Sequence, residues 1–261
     1  MPQQDLNRAI AKHDLAQWYA NPALDPLAAA WNRSCGGKGG AWLMPPSDPT
    51  QIMPDRLFLL ALRLRMGQDV VPDGCTCPFV PRGGPVRCCP LGAQGKHTLS
   101  CPKGGDMVGR HDETRDVLMG LLRGLGAQVV CREVVLDALT DLRMDIQYTG
   151  PRAALINCDI TLVSPTSAQA MRSRADNRNG VAAGIAEGVK RRTYRQHGVV
   201  PLVLEHGGRA GPAFEAHLRR MLPTGPERSR ESQRVWQTIA TTIQLAQART
   251  LQRVAKAATR G

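Results

Sequence analysis

Residues 142–163 read LRMDIQYTGPRAALINCDITLV, and this stretch decides the fold. Leu142, Met144 and Ile146 alternate with Arg143, Asp145 and Gln147, the period of a half-buried strand. Thr149-Gly150-Pro151 is turn chemistry, because Gly and Pro in succession end one strand before the next begins. From Ala153 to Val163 the chain is nearly continuous apolar, a central strand carrying one carboxylate, Asp159. Thirteen residues, Ile146 to Cys158, separate Asp145 from Asp159. On adjacent antiparallel strands the two acids can converge on one end of a sheet. Burying a carboxylate is costly, so a pair calls for a cation, and a divalent metal is the natural one. Either aspartate alone reads equally well as a solvated strand-end residue. The pair, together with the basic helix after it, points to chemistry.

That helix is AAGIAEGVKRRTYRQH, Ala182 to His197, helical by composition and by its lack of Pro. Val199 to Leu204 is then a short apolar run, typical of a buried strand after a crossover helix. Lys190 and Tyr194 are four apart and share one helix face. A lysine beside a metal-bound carboxylate pair can position water and stabilise a phosphorane-like transition state. Arg191, Arg192 and Arg195 form a solvated or phosphate-binding stripe.

Upstream, Val117, Leu118, Leu121, Leu122 and Leu125 make a helical stripe that Gly124 and Gly126 end. Arg110, His111 and Arg115 lie near the start of that helix, within reach of phosphate or of the metal site. His111 reads equally as a capping or packing residue. Gln128 to Leu136 is a strand carrying Glu133, either a solvent-facing residue or a third carboxylate. In order these segments give helix, three strands, helix, strand: an α/β chain with acids on successive strands.

Residues 75–101 differ in character. Cys75, Cys77, Cys88, Cys89, His97 and Cys101 crowd a Gly/Pro-rich stretch with little apolar material to fold around. A tetrahedral zinc would organise it. His97 and Cys101 make a closing pair, one of Cys88 or Cys89 a third ligand, and Cys77 or Cys75 the fourth. Further out, Asp5–Tyr19 and Asp55–Met66 read as amphipathic helices, and residues 166–180 as a polar, mobile loop. A last helix, from Glu227 to Arg260, can pack on the core or lie against DNA.

With 34 Lys and Arg against 22 Asp and Glu, the formal charge is +12, which points to a polyanion and first to nucleic acid. No apolar run is long enough to span a membrane, and MPQQDLNRAIAKHD has no secretory core. Eight cysteines without secretion suit metal or thiols better than disulfides. Three Phe and three Tyr are too few for a single-strand stacking platform.

Three sets of residues carry a resemblance over about 75–210. They are His97 and Cys101 with RHD at 110–112; RMD at 143–145 with CDITLVSP at 158–165; and KRRTY at 190–194 with PLVLEHGG at 201–208. The segment resembles the restriction-endonuclease-like, PD-(D/E)xK-type domain in the C-terminal part of non-LTR retrotransposon reverse transcriptase polyproteins. It departs in having Asp112 where the family has Asn and Met144 where it has Pro. The resemblance implies a restriction-endonuclease-like core (αβββαβ, a mixed sheet flanked by helices) with a small zinc knuckle and helical extensions. Residues 1–70 would be a helical linker, 71–103 the zinc-binding segment, 104–210 the nuclease core and 211–261 a basic helical extension.

It also implies a Mg2+-dependent endonuclease that nicks target DNA for retroelement integration. Asp145 and Asp159 would hold Mg2+, with Lys190, Glu133 and Tyr194 completing the catalytic set. Arg110, His111, Arg191 and Arg192 would bind double-stranded DNA, with element RNA a further partner. Four of Cys77, Cys88, Cys89, His97 and Cys101 would hold a structural Zn2+. No Tyr-x-Asp-Asp polymerase motif is present, so the chain is expected to be a detached C-terminal piece, acting in the nucleus. The two departures motivate an alternative, a catalytically lapsed DNA-binding module supported by zinc.

Overall fold

The structure, a computed structural model, describes residues 3–72, 75, 94–101, 106–137, 142–150 and 154–258. Four helices come first: α1 (Gln3–Ala20), α2 (Pro26–Ser34), α3 (Asp55–Arg65) and the short α4 (Lys96–Ser100). Then come α5 (Asp106–Gly124), β1 (Gln128–Asp137), β2 (Leu142–Thr149) and β3 (Leu155–Val163). The chain continues through α6 (Ala168–Arg172), α7 (Val181–Thr193), β4 (Val200–Glu205), α8 (Pro212–Met221) and α9 (Glu227–Ala258). The order α5-β1-β2-β3-α7-β4 is the one the hydrophobic periods predict. The expected loop at 166–180 holds one extra element, α6, because the Ser167 hydroxyl accepts the Ala170 amide and starts a helical turn.

The strands form one mixed sheet in the order β1-β2-β3-β4, antiparallel through the first three and parallel between β3 and β4. Met144, Ile146 and Tyr148 of β2 are buried on one face, with Cys158 and Ile160 of β3 and Leu202 and Leu204 of β4. That face packs against Leu118 and Leu122 of α5, Phe214 and Leu218 of α8, and Trp236 and Ile239 of α9. Each fully buried Leu, Ile or Phe contributes about 1.5–3 kcal/mol, so this layer holds the strands in register. The opposite face of β3 and β4 meets α7. There Val163 packs with Ala170, Ala175 and Ala182.

Two buried glutamates fix the ends of the covering helices. Glu205, at the end of β4, accepts the Ala183 amide at the start of α7 (3.1 Å). Glu187, on α7, accepts the Ala213 amide at the start of α8 (2.8 Å). The N-cap positions of both helices are glycine, Gly180 and Gly211, which have no side chain to do this.

The last helix settles on the core. Its first half joins the sheet cluster, while Ala240 and Ala248 pack with Trp42 and Ala61, and Leu251 packs with Trp31, Leu64 and Leu99. The residues expected as N- and C-terminal extensions thus share buried contacts with the sheet. A backbone clasp reinforces them: the Arg209 amide donates to Ser34 O (2.9 Å), and a Cβ on Gly39 would stand 2.7 Å from Gly207 O. Among the described residues, α1 is exposed along most of its side chains, and its half-buried Tyr19 donates to Asn32. Among the described residues no helix is long and apolar enough to cross a membrane.

Candidate functional site

The β2–β3 register pairs Ile146 with Cys158. The pairing ends there; continued one step it would set Asp145 opposite Asp159, and the Ile160 amide next to Asp159 bonds the Asp145 side chain instead. Met144, Ile146, Cys158 and Ile160 are buried in the core, while Asp159 meets Lys190 and Tyr194 of α7 and Asp145 meets His111 of α5. Asp145 also does a backbone group's work. Its Oδ2 accepts the Ile160 amide at 2.6 Å, so a side chain satisfies a donor on the strand itself.

Asp159 is held from α7. Lys190 Nζ stands 2.7 Å from Asp159 Oδ2, and the Thr161 hydroxyl donates to the same oxygen at 3.3 Å. Tyr194 Oη lies 2.7 Å from Asp159 Oδ1 and 2.7 Å from Arg143 O, so one phenolic proton serves two acceptors. Burial, then the bond to Asp159, raises the Tyr194 pKa well above the usual phenol range. The i, i+4 spacing of Lys190 and Tyr194 brings both onto one carboxylate, and the ammonium sits 5.7 Å from the Tyr194 ring centroid.

Asp145 is held from α5. His111 Nε2 lies 3.2 Å from Asp145 Oδ2, and His111 Nδ1 lies 3.3 Å from Asp112 Oδ1. The bond to Asp145 raises the His111 pKa, against an opposing effect of burial, and the charges of Asp145 and Asp112 add to the rise. Asp112 therefore orients His111.

Glu133 occupies the β1 position opposite Asp145, between the pairs Arg132–Ile146 and Val134–Met144. Its φ of 52° is left-handed, a rare conformation for a residue with a Cβ. The side chain turns to Arg115, with Oε1 2.7 Å from Nη1, and Arg115 also pairs with Asp112 (3.0 Å). Glu133 is thereby linked to Asp145 through Arg115, Asp112 and His111, and makes no direct bond to either aspartate.

Arg110 is turned inward. It is only 4% exposed, and its guanidinium donates to Leu99 O and Asp106 O. Burial lowers its pKa to about 10. From there it ties α4 to α5. Sequence places Arg110 on α5 but not on its inward face. Arg191 and Arg192, by contrast, are exposed beside Lys190, as is Arg143 beside Tyr194. Thr161 and the Arg143 carbonyl are the site groups that sequence reasoning missed. The two-residue step from Asp159 to Thr161 along one strand face was the available signal for the first.

The carboxylates suit a hard divalent ion. Mg2+ takes one or two protein carboxylates and completes its shell with water, and no described residue donates a hydrogen bond to Asp145 Oδ1. Of the expected zinc ligands, Cys77, Cys88 and Cys89 lie outside the described residues. Cys75 and Cys101 both pack against Val71 and Val254, and His97 Nε2 is buried with no hydrogen-bond partner. Among the described residues no three His, Cys, Asp or Glu side chains converge as a ligand set. No protein-family model matches the chain, and no curated protein matches it.

Proposed function

We propose that the chain is a Mg2+-dependent DNA endonuclease with a restriction-endonuclease-like core, and that it nicks double-stranded DNA. The observation that carries this reading is that Asp145 bonds the Ile160 amide next to Asp159, where the β2–β3 pairing ends, with Lys190 2.7 Å from Asp159. Asp145 and Asp159 would hold the ion, which when bound activates water and offsets charge on the leaving oxygen. Lys190, 27% exposed at the surface of the pair, orients the attacking water and stabilises the negative phosphate oxygens. Tyr194 and His111 position the carboxylates, and Glu133 acts at one remove through Arg115. Arg191 and Arg192 hold the DNA backbone, consistent with a formal charge of +12.

A structural zinc belongs to the same reading. His97 and Cys101, with one of Cys88 or Cys89 and one of Cys77 or Cys75, would supply the three-thiolate, one-imidazole set such sites use. The buried, unpartnered His97 Nε2 supports it.

The test is nicking of supercoiled plasmid in Mg2+ by the wild type and by Asp159→Ala, with folding checked by circular dichroism. Loss of nicking in a folded variant supports the assignment; equal nicking by both sinks it. One observation favours the lapsed module. Both oxygens of Asp159 are already engaged, by Tyr194, Lys190 and Thr161. That reading expects salt-dependent DNA binding and no cleavage with any divalent ion.

A further inference from the structure

Lys190 and Thr161, the two side chains on Asp159 Oδ2, both line one end of a groove of about 350 Å³. Its walls are aliphatic, with Ile185, Ala186 and Val189 from α7 and Leu99 and Met107 from α4 and α5. Among the described residues no aromatic side chain other than the His206 ring lines it. Val189 and Met107 are 43% and 41% exposed, which leaves an apolar lip open beside a charged site. Gln169, exposed at the rim, offers both a donor and an acceptor, and Ser164 lies nearby.

We propose that this groove takes a single nucleobase of the strand being cut, turned out of the stack next to the phosphate at Asp159 and Lys190. The inference rests on the endonuclease reading and names the form of its substrate. Three features select this occupant. Lys190 and Thr161 line both the groove and the carboxylate of Asp159, so a base attached to a phosphate held there is within reach of the groove. It has the size of a small-ligand pocket and is far too narrow for a duplex. Its flat aliphatic walls with a polar rim match a base, whose faces are apolar and whose edge forms hydrogen bonds. The energy of unstacking is least where the base is unpaired, so mismatched sites are bound in preference.

The test uses the full chain and a duplex carrying one unpaired 2-aminopurine, whose fluorescence rises on leaving the stack. It is run in Ca2+ so that binding is read without cleavage. Binding by the wild type raises fluorescence at least about twofold, as expected for extrusion. Ala186→Trp, which fills the groove, abolishes the rise while anisotropy shows the DNA still bound. Gln169→Ala, at an exposed position, binds the unpaired duplex more weakly without disturbing the fold. Unchanged fluorescence in a wild-type complex overturns the proposal, as does a rise that persists in Ala186→Trp. If plasmid nicking is absent but the rise and its loss are seen, the base site stands and only the cleavage reading falls.

Discussion

Tyr194 gives its single phenolic proton to a pocket in which Asp159 Oδ1 and Arg143 O both stand 2.7 Å away. This joins the last turn of α7 to two neighbouring strands at the site. Tyr194→Phe leaves two acceptors short of a donor, one of them charged. The expected loss is about 1–3 kcal/mol, read from urea unfolding. Lys190→Ala, at a partly exposed position, costs less stability but lowers nicking by about 100-fold or more. Nicking that survives Lys190→Ala unchanged removes the lysine from the mechanism.

Two buried histidines make the fold acid-sensitive: His206, which lines the groove beside Lys190, and His217 on the core face. Burial pushes the pKa of His206 down to about 3 and that of His217 to about 4. His217 Nε2 lies 2.7 Å from the Tyr148 hydroxyl. Both rings are neutral in the folded chain, while the unfolded chain protonates them near pH 6.5. Their contribution is therefore complete above pH 6.5 and is lost as pH falls from there to about 4 for His217 and about 3 for His206. The slope is about 1.4 kcal/mol per pH unit for each ring. Urea midpoints at pH 7.5, 6 and 5 check this, and His217→Gln flattens the profile.

The opposed aspartates were legible because period-two alternation fixes the face of each residue. The Gly-Pro signal after Thr149, read as a turn in the sequence, predicts that the strands carrying Asp145 and Asp159 are antiparallel neighbours. Lys190 and Tyr194 were legible from helical spacing alone. Arg110 was not, since the apolar stripe of α5 starts only at Val117 and leaves the first turns without an assigned inward side. Nor was the turn of Glu133 towards Arg115, which depends on a left-handed φ inside a strand. The capping of α7 and α8 by Glu205 and Glu187 joins residues 22 and 26 positions apart, and only the packed sheet brings them together.

Arg191 and Arg192 are exposed and flank the lysine, so their effect on DNA is electrostatic. Replacing both with alanine weakens binding to all duplexes alike. The slope of log affinity against log salt becomes shallower by about 0.9 for each phosphate that is no longer neutralised. A titration by anisotropy between low and moderate salt measures it, and an unchanged slope would place the DNA elsewhere on the surface.

Zinc content gives a separate check on the segment around His97. Metal analysis of purified protein is expected to find one zinc per chain. His97→Ala lowers that content, and chelation lowers the thermal midpoint, because the binding energy of a structural zinc is folding energy. A chain that holds no zinc, and melts identically with and without chelator, contradicts the site. The buried His97 nitrogen would then owe its lack of a partner to something else.

The clasp between the N-terminal segment and the turn after β4 can be probed with two glycines that predict opposite signs. A Cβ at Gly39 meets backbone on two sides, 2.7 Å from Gly207 O and 2.8 Å from Gly208 C. Neither neighbour can swing away as a side chain would. Gly39→Ala is therefore expected to cost about 1–3 kcal/mol through overpacking. Gly120 lies on the exposed side of α5, and a Cβ there meets nothing within 4 Å. Gly120→Ala should stabilise by up to about 1 kcal/mol through helix propensity. Thermal midpoints of the two variants decide the matter: if Gly39→Ala melts with the wild type, residues 26–65 are not clasped to the sheet through this close approach.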